Sequence, residues 1–239
     1  MKVKTAVAIV LSLGLANFVH AENNSEWLPI TSTAEYEWYG KLESGSVTNV
    51  DNKKNNGYAY VFQKTEKNSK KITYGKVVVL LEACKKGYGY IYFNDLAGNF
   101  DSRAQFVRFG NTVGDALGTM ACTSWDNDTK KVSMQAQENA WEEVAKSEDG
   151  EIELYIKKDT FRKIDHKGKK SISILRASYK PKKEWTDYHE MIAHISDCKT
   201  GYGKAYYLNF DRQEAFSSDY VVGGDSIGAA AVTELCKKL

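Results

Sequence analysis

The sequence contains little proline, little histidine and almost no excess of either charge. Two of its 239 residues are proline and four are histidine, while fifteen are tyrosine. So few prolines, together with frequent Tyr, Val and Ile, indicate a folded, strand-rich protein and argue against a disordered one. Its 33 basic side chains nearly balance 31 acidic ones. Nucleic-acid and anionic-membrane binders need a surplus of basic residues on one face, so this balance argues against both partners.

Long apolar segments are also missing after the first 21 residues, so we expect no membrane span in the mature chain. Residues 1–21 combine two early lysines, the apolar run AVAIVLSLGLANFV and the ending VHA. This pattern is typical of a secretory signal peptide that is cleaved after Ala21. The leader has no cysteine, which argues against a lipoprotein anchor. We therefore expect an exported protein, located in the periplasm or at the cell surface.

Two nearly identical stretches lie 114 residues apart: CKKGYGYIY begins at Cys84 and CKTGYGKAY begins at Cys198. Cys122 and Cys236 are separated by the same 114 residues. Without a gap, this offset also aligns Trp27 with Trp141, Glu37 with Glu151, Asp51 with Asp165, Lys53 with Lys167, Tyr74 with Tyr188, and Val107 with Val221. Similarity at one fixed period predicts an internal duplication. We expect two repeat domains, residues 22–124 and 141–239, joined by a polar linker of residues 125–140.

The four cysteines allow three disulfide pairings. A duplication favours the pairing that each copy could form alone, which is Cys84–Cys122 and Cys198–Cys236. Export makes disulfides chemically plausible. Each bridge would close a loop of about 38 residues, worth roughly 4 kcal/mol in the chain-entropy model. The alternative of a metal or redox site has little support, because the sequence has no Cys-x-x-Cys.

Each predicted domain has the pattern of several strands followed by one helix. Apolar runs such as GKVVVLLEAC and HEMIAHISDC predict antiparallel strands that end at the first cysteine. GNTVGDALGTMAC and GDSIGAAAVTELC then place apolar residues at helical spacing, with Asn111 or Thr112 and Asp225 or Ser226 as N-caps. We predict an α+β fold of two repeats. Each is a small antiparallel sheet whose C-terminal helix is tied to a strand by a disulfide.

No arrangement of residues in the sequence predicts catalysis, a metal site or a cofactor. The segment GDSIG around Ser226 resembles the nucleophile segments of some serine hydrolases, but GNTVG occupies that place in the first repeat and favours a helix start. His189 and His194 lie five apart on a predicted strand and point to opposite faces, so we expect no shared metal. We expect His194, which aligns with Leu80, to be a partly buried structural residue and His166 to be a solvated loop residue.

Tyrosine is concentrated around the two Gly-Tyr-Gly segments. Two interpretations of these side chains stay open: they form an exposed aromatic patch for a protein partner, or they pack across neighbouring strands. The candidate binding patch consists of Tyr88, Tyr90, Tyr92, Tyr202 and Tyr206.

Three features recur in both repeats: an early tryptophan, a strand that ends in cysteine, and a capped helix that ends in cysteine. The residues are Trp27, Cys84 and Cys122 in the first repeat and Trp141, Cys198 and Cys236 in the second. In these features each repeat resembles the bacterial surface-adhesin protein E type domain. The resemblance implies an antiparallel sheet with a C-terminal helix, an exported Gram-negative protein and binding to host extracellular proteins. The chain departs from that pattern by having two copies and no lipobox cysteine, so surface display and periplasmic residence both stay open.

From these observations we expect an exported, non-enzymatic binding protein of the bacterial envelope with an adhesin-like role. Its partner would be a host extracellular or envelope protein. One alternative is a periplasmic or secreted inhibitor of a lysozyme or protease, because a rigid disulfide-bonded sheet binds with little ordering cost. A hydrolase that uses Ser226 or the histidines is a further alternative. We expect the two repeats to pack around a pseudo-two-fold axis, as the subunits of a dimer would.

Overall fold

The computed structural model describes residues 26–50, 53–128 and 141–239. The predicted signal peptide and residues 129–140 of the predicted linker lie outside these ranges. The first four linker residues, 125–128, form the end of a helix. Among the described residues, no helix is long and apolar enough to cross a membrane.

The first half of the chain forms one antiparallel sheet with two helices. Its strands lie in the order β1-β2-β4-β5-β6-β7, and β3 pairs with the other end of β4. In chain order the elements are β1 (Trp27–Ser32), β2 (Tyr36–Lys41), β3 (Ser46–Val50), β4 (Lys53–Glu66), β5 (Ile72–Leu80), α1 (Leu81–Lys86), β6 (Tyr88–Asn94), β7 (Phe100–Val107) and α2 (Val113–Asp128).

The second half forms a separate antiparallel sheet with the strand order β8-β9-β10-β11-β12-β13. Its elements are β8 (Trp141–Lys146), β9 (Glu153–His166), β10 (Lys169–Lys180), a 3₁₀ turn (Pro181–Lys183), β11 (Trp185–His194), α3 (Ile195–Thr200), β12 (Tyr202–Leu208), β13 (Glu214–Val221) and α4 (Ile227–Cys236). The described residues therefore form a mixed fold that is mostly sheet, with two antiparallel sheets, four α-helices and two disulfides.

Helix α2 and helix α4 each cover one face of their own sheet. In the first half, Leu117 and Ala121 of α2 pack against a buried layer that includes Tyr60, Phe62 and Ile91. In the second half, the core consists of Ile156, Ile172, Ile174, Met191, Ala231, Val232 and Leu235, with further aliphatic residues around them. The opposite face of each sheet is not covered by the helix of its own half, and we call it the outer face.

Each of these two helices begins at a hydroxyl side chain. In α2 the Thr112 Oγ1 accepts from the Asp115 amide at 3.1 Å, and the Asp115 carboxylate accepts from the Thr112 amide at 2.8 Å. This reciprocal arrangement is a capping box. In α4 the Ser226 Oγ accepts from the Ala229 amide at 3.1 Å. Thr112 and Ser226 are therefore the N-caps among the alternatives that the sequence offered.

The two Gly-Tyr-Gly segments form the same helix-to-strand turn in each half. Helix α1 ends at Gly87 with φ 79°, and α3 ends at Gly201 with φ 85°, a left-handed conformation that glycine adopts without strain. The second glycine is needed for space. A Cβ on Gly89 would lie 2.6 Å from a side-chain atom of α1, and a Cβ on Gly203 would lie 2.5 Å from one of α3. Backbone geometry thus explains why both segments keep two glycines.

The disulfides are Cys84–Cys122 and Cys198–Cys236, which is the pairing that the sequence favoured. Each one joins the long helix of its half to the short helix after β5 or β11. The sequence predicted that the first cysteine would end a strand. Instead, each of these cysteines lies in a six-residue helix that links two strands.

The offset between the two halves is not constant. Thr65 and Tyr179 are 114 residues apart, but their strand partners, Glu37 and Glu153, are 116 apart. The gapless pairing of Glu37 with Glu151 is therefore wrong. The gapless alignment is off by two residues throughout the segment from β2 to the start of β4. Two physical differences cause it: the β1–β2 connection is shorter in the first half, and the β3–β4 ladder has an extra irregularity near its hairpin.

Candidate protein-binding surface

The two sheets touch each other through one apolar cluster on their outer faces. Val107, at the end of β7, is fully buried among Leu175, Ala177 and Tyr188 of the second sheet. The cluster is completed by the partly buried side chains of Tyr88, Trp141, Tyr155 and Phe210. We call the first-sheet side of this contact, Tyr88 with Gln105 and Val107, the docking end. We call the second-sheet side, Leu175 with Ala177 and Tyr188, the docking face.

A buried hydrogen-bond network surrounds Tyr188 at this contact. The Tyr188 hydroxyl donates to the Asp115 carboxylate at 2.7 Å, and the Gln105 side-chain amide donates to the Tyr188 carbonyl at 3.2 Å. The same carboxylate accepts from the Val107 amide at 2.6 Å. Burial raises the pKa of Asp115 and of Tyr188, in Asp115 against the opposing effect of these hydrogen bonds. With so many partners, Asp115 has a structural role between the two sheets.

Charged side chains surround the apolar cluster. Arg162 donates to the Tyr88 hydroxyl at 2.6 Å and forms an ion pair with Glu190 at 2.9 Å. At the rim, Arg103 pairs with Asp211 at 2.8 Å. These contacts give the docking end one defined position on the docking face.

The contact between the sheets uses different residues on its two sides. Tyr88 and Val107 are paired across β6 and β7, and Tyr202 and Val221 are paired in the same way across β12 and β13. Val107 is fully buried, whereas Tyr202 is 65% and Val221 59% exposed. A pseudo-two-fold axis would place both pairs in equivalent contacts. The end of the first sheet therefore contacts the outer face of the second sheet, without the reciprocal contact. The expected pseudo-two-fold packing of the repeats is wrong, because the two sheets meet head to tail.

The outer face of the first sheet carries an uncovered groove with a volume of about 550 Å³. Its floor is formed by Ala59, Val61 and Val78, and Lys76 and Ser46 lie at its sides. All of its lining residues belong to the first sheet and its loops. The groove combines apolar side chains with hydrogen-bonding groups and one charged side chain, Lys76.

Three large apolar side chains are exposed in or beside this groove. Phe100 lines it and is 63% exposed, while Tyr74, two residues before the lining residue Lys76, is 46% exposed and Leu96, next to the lining residue Ala97, is 52% exposed. We call the groove together with these three residues the open face. Tyr74 is 114 residues from Tyr188, and Leu96 is 114 residues from Phe210. Tyr188 and Phe210 pack in the contact between the sheets, whereas Tyr74 and Leu96 are exposed.

The five tyrosines of the predicted patch do not come together. Tyr88 and Tyr90 pack against Phe210 in the contact between the sheets, with ring centroids 5.2 and 5.9 Å away. Tyr92 lines the groove of the open face. On the second sheet Tyr202 is exposed, while Tyr206 packs on His166 and His194. Tyr92 also packs edge-on against Phe100, with ring centroids 6.5 Å apart, so four of the five make ring contacts and Tyr202 is the exposed member of the set.

The three histidines in the described ranges and Ser226 occupy structural positions. His194 is buried, and its Nδ1 lies 2.8 Å from the Ser171 hydroxyl. His166 packs its ring 4.8 Å from that of Tyr206, so its expected place as a solvated loop residue is wrong. Burial lowers the pKa of His166, His189 and His194. Within the described ranges, no group of three or more His, Cys, Asp or Glu side chains is arranged to hold a metal.

No family model, curated protein or solved structure matches this chain. Conclusions about its function therefore depend on the surfaces described above.

Proposed function

We propose that this chain is an exported, non-enzymatic binding protein of the bacterial envelope, adhesin-like in its role, and that the open face of the first sheet binds a protein partner. The observation that carries the proposal is the exposure of Phe100 in the groove and of Tyr74 and Leu96 beside it, whereas Tyr188 and Phe210, the second-sheet counterparts of Tyr74 and Leu96, pack in the contact between the sheets. Exposed apolar side chains grouped around a concave surface mark an interaction site on a folded protein.

The predicted signal peptide and the two disulfides support export, because such bridges persist in oxidising compartments. We further propose that the two sheets descend from one duplicated domain. The identical offset of 114 residues for α1 and α3, β6 and β12, and β7 and β13 supports this origin. A duplication would leave one copy of the face for internal contact and the other for a partner.

The test compares two variants of the mature protein, residues 22–239. The open-face variant carries Tyr74→Asp and Leu96→Asp. The control carries Leu28→Asp and Phe109→Asp, whose side chains are similarly exposed but line a different groove, beside α2. Immobilised proteins are incubated with host extracellular matrix and with envelope extract. We expect a retained protein that binds the control as it binds wild type and binds the open-face variant at least tenfold less, because a desolvated apolar contact has been replaced by charge.

Equal retention by both variants would overturn the proposal. The same proteins are added to lysozyme and protease assays, where a loss of enzyme activity caused by wild type but not by the open-face variant would assign the face to an inhibitor instead.

A further inference from the structure

We infer that this protein self-associates head to tail: the end of the second sheet of one molecule, Tyr202 with Val221, docks on the open face of another. This inference rests on the proposed role of the open face as a binding surface and names a second copy of the chain as its occupant. We call Tyr202 with Asp219 and Val221 the open end.

The internal contact supplies the pattern for the intermolecular one. Inside the chain, the cross-strand pair Tyr88–Val107 docks on Leu175 and Tyr188 of the second sheet. Each side of that contact has a counterpart 114 residues away that remains uncovered. The docking end corresponds to the open end, and the docking face corresponds to a part of the open face that contains Val61 and Tyr74.

The aromatic surroundings of the docking face are also present on the first sheet. Trp141 packs on Tyr188 with ring centroids 5.9 Å apart, and Trp27 packs on Tyr74 with centroids 5.6 Å apart. Next to each pair, a tyrosine hydroxyl donates to a glutamate two residues before it: Tyr155 to Glu153 at 2.8 Å, and Tyr39 to Glu37 at 3.0 Å. The open face therefore has the side-chain framework that receives Val107 on the second sheet.

One pair of opposite charges lies on the two open surfaces. Gln105 of the docking end contacts the Tyr188 carbonyl, and its counterpart in the open end is Asp219, an exposed carboxylate that lies 3.6 Å from Lys204 of its own sheet. Two residues beyond Tyr188 lies Glu190, and its counterpart on the open face is Lys76, at the side of the groove. A copy of the internal contact would bring Asp219 of one molecule towards Lys76 of the next.

Several internal interactions have no copy at the open surfaces. The rim pair Arg103–Asp211 corresponds to Ser217 and Ala97, and the ion-paired Glu190 corresponds to Lys76. Asp115 accepts from the Tyr188 hydroxyl, but the residue 114 positions later is Ala229. Tyr74 would therefore dock without a carboxylate partner. We expect the contact between molecules to be weaker than the internal one and to dissociate on dilution. Because its two surfaces differ, it joins molecules into chains or closed rings rather than into a two-fold dimer.

The experiment measures the mass of the mature protein by sedimentation velocity over a 100-fold range of concentration. Wild type is expected to gain mass beyond a dimer as its concentration rises. An open-end variant with Tyr202→Asp and Val221→Asp, and the open-face variant with Tyr74→Asp and Leu96→Asp, are each expected to remain monomeric. The Phe109→Asp variant, changed outside both surfaces, is expected to behave as wild type. Circular dichroism checks that each variant is folded.

Mixing the variants provides the decisive step. The open-end variant keeps an intact open face, and the open-face variant keeps an intact open end. A 1:1 mixture is therefore expected to form heterodimers and nothing larger. Monomeric wild type at every concentration, or a mixture of variants that stays monomeric while wild type associates, would overturn the inference.

The failure of self-association is distinguishable from failure of the proposed function. The open-end variant should lose self-association while it still retains the partner captured from matrix or envelope extract. If wild type stays monomeric but that partner still needs the open face, the proposed function stands without this inference.

Discussion

The two sheets agree closely at one corner and differ elsewhere. Both have a short helix that ends at a left-handed glycine, a disulfide to a capped longer helix, and the same two strands between them. Away from this corner the cores diverge. Phe62 and Gly75 lie in the first sheet where the second buries Arg176 and His189. The corner is fixed by covalent and backbone geometry, whereas the remaining core positions need only fill space.

The largest expected difference between the sheets comes from removing each disulfide in turn. A bridge that closes 38 residues is worth about 4 kcal/mol in the chain-entropy model, for both halves. Cys84 and Cys122 are also fully buried in the aromatic core, while Cys198 and Cys236 are only partly buried. We expect the double alanine variant of the first pair to lose more stability than that of the second, as measured by urea unfolding. An equal or larger loss for the second pair would show that core packing around the sulfurs does not distinguish the sheets.

A smaller effect is expected where one tyrosine is buried and its counterpart is exposed. Tyr188→Phe removes the donor to buried Asp115, and we expect it to lower the free energy of unfolding by about 1–3 kcal/mol. Tyr74→Phe removes an exposed hydroxyl and should change stability by less than about 0.5 kcal/mol. Urea unfolding of both variants measures the difference. A similar loss in the two variants would mean that the contact between the sheets does not bury Tyr188 in solution.

The sequence predicted the corner well because local rules determine it. Thr112 and Ser226 were among the predicted caps, and the cysteine spacing favoured the pairing that the structure shows. Cap residues act on amides within the same turn, so a short segment contains the information. The α+β class followed from the change of period from strands to helix, although the two short helices after β5 and β11 were missed as strand ends.

The contact between the sheets was not predictable from local patterns. Tyr88 and Tyr202 occupy the same place in matching segments, yet one is packed between the sheets and the other is 65% exposed. Asp115 lies in the predicted helix segment GNTVGDALGTMAC, and its partner Tyr188 is 73 residues away. Only tertiary packing makes the packed Tyr88 different from the exposed Tyr202 and brings Asp115 to Tyr188. The two-residue change in offset was hidden because Lys, Asp and Glu are frequent enough in loops to match at the wrong register.

The smallest expected effect concerns histidine, which the second sheet has at positions that are not histidine in the first. His194 occupies the place of Leu80 and is buried beside Ser171. Burial lowers its pKa below the ordinary value of about 6.5, with Lys169 and Lys167 acting in the same direction and Asp197 against them. The folded protein therefore favours the neutral ring.

The sign of the pH dependence follows from that lowered pKa. The contribution of His194 to stability is fully present above pH 6.5 and is lost as the pH falls towards the pKa of His194 in the folded protein. The reason is that the unfolded chain, whose histidine has the higher pKa, binds a proton more readily than the folded protein does. We expect His194→Leu to lose less stability than wild type between pH 7.5 and pH 5, in urea unfolding at constant ionic strength. The reciprocal change Leu80→His should add a smaller acid sensitivity to the first sheet, because Leu80 is only partly buried. If His194→Leu and wild type lose stability in parallel, then the acid response of the second sheet comes from His166 and His189, whose pKa values burial also lowers.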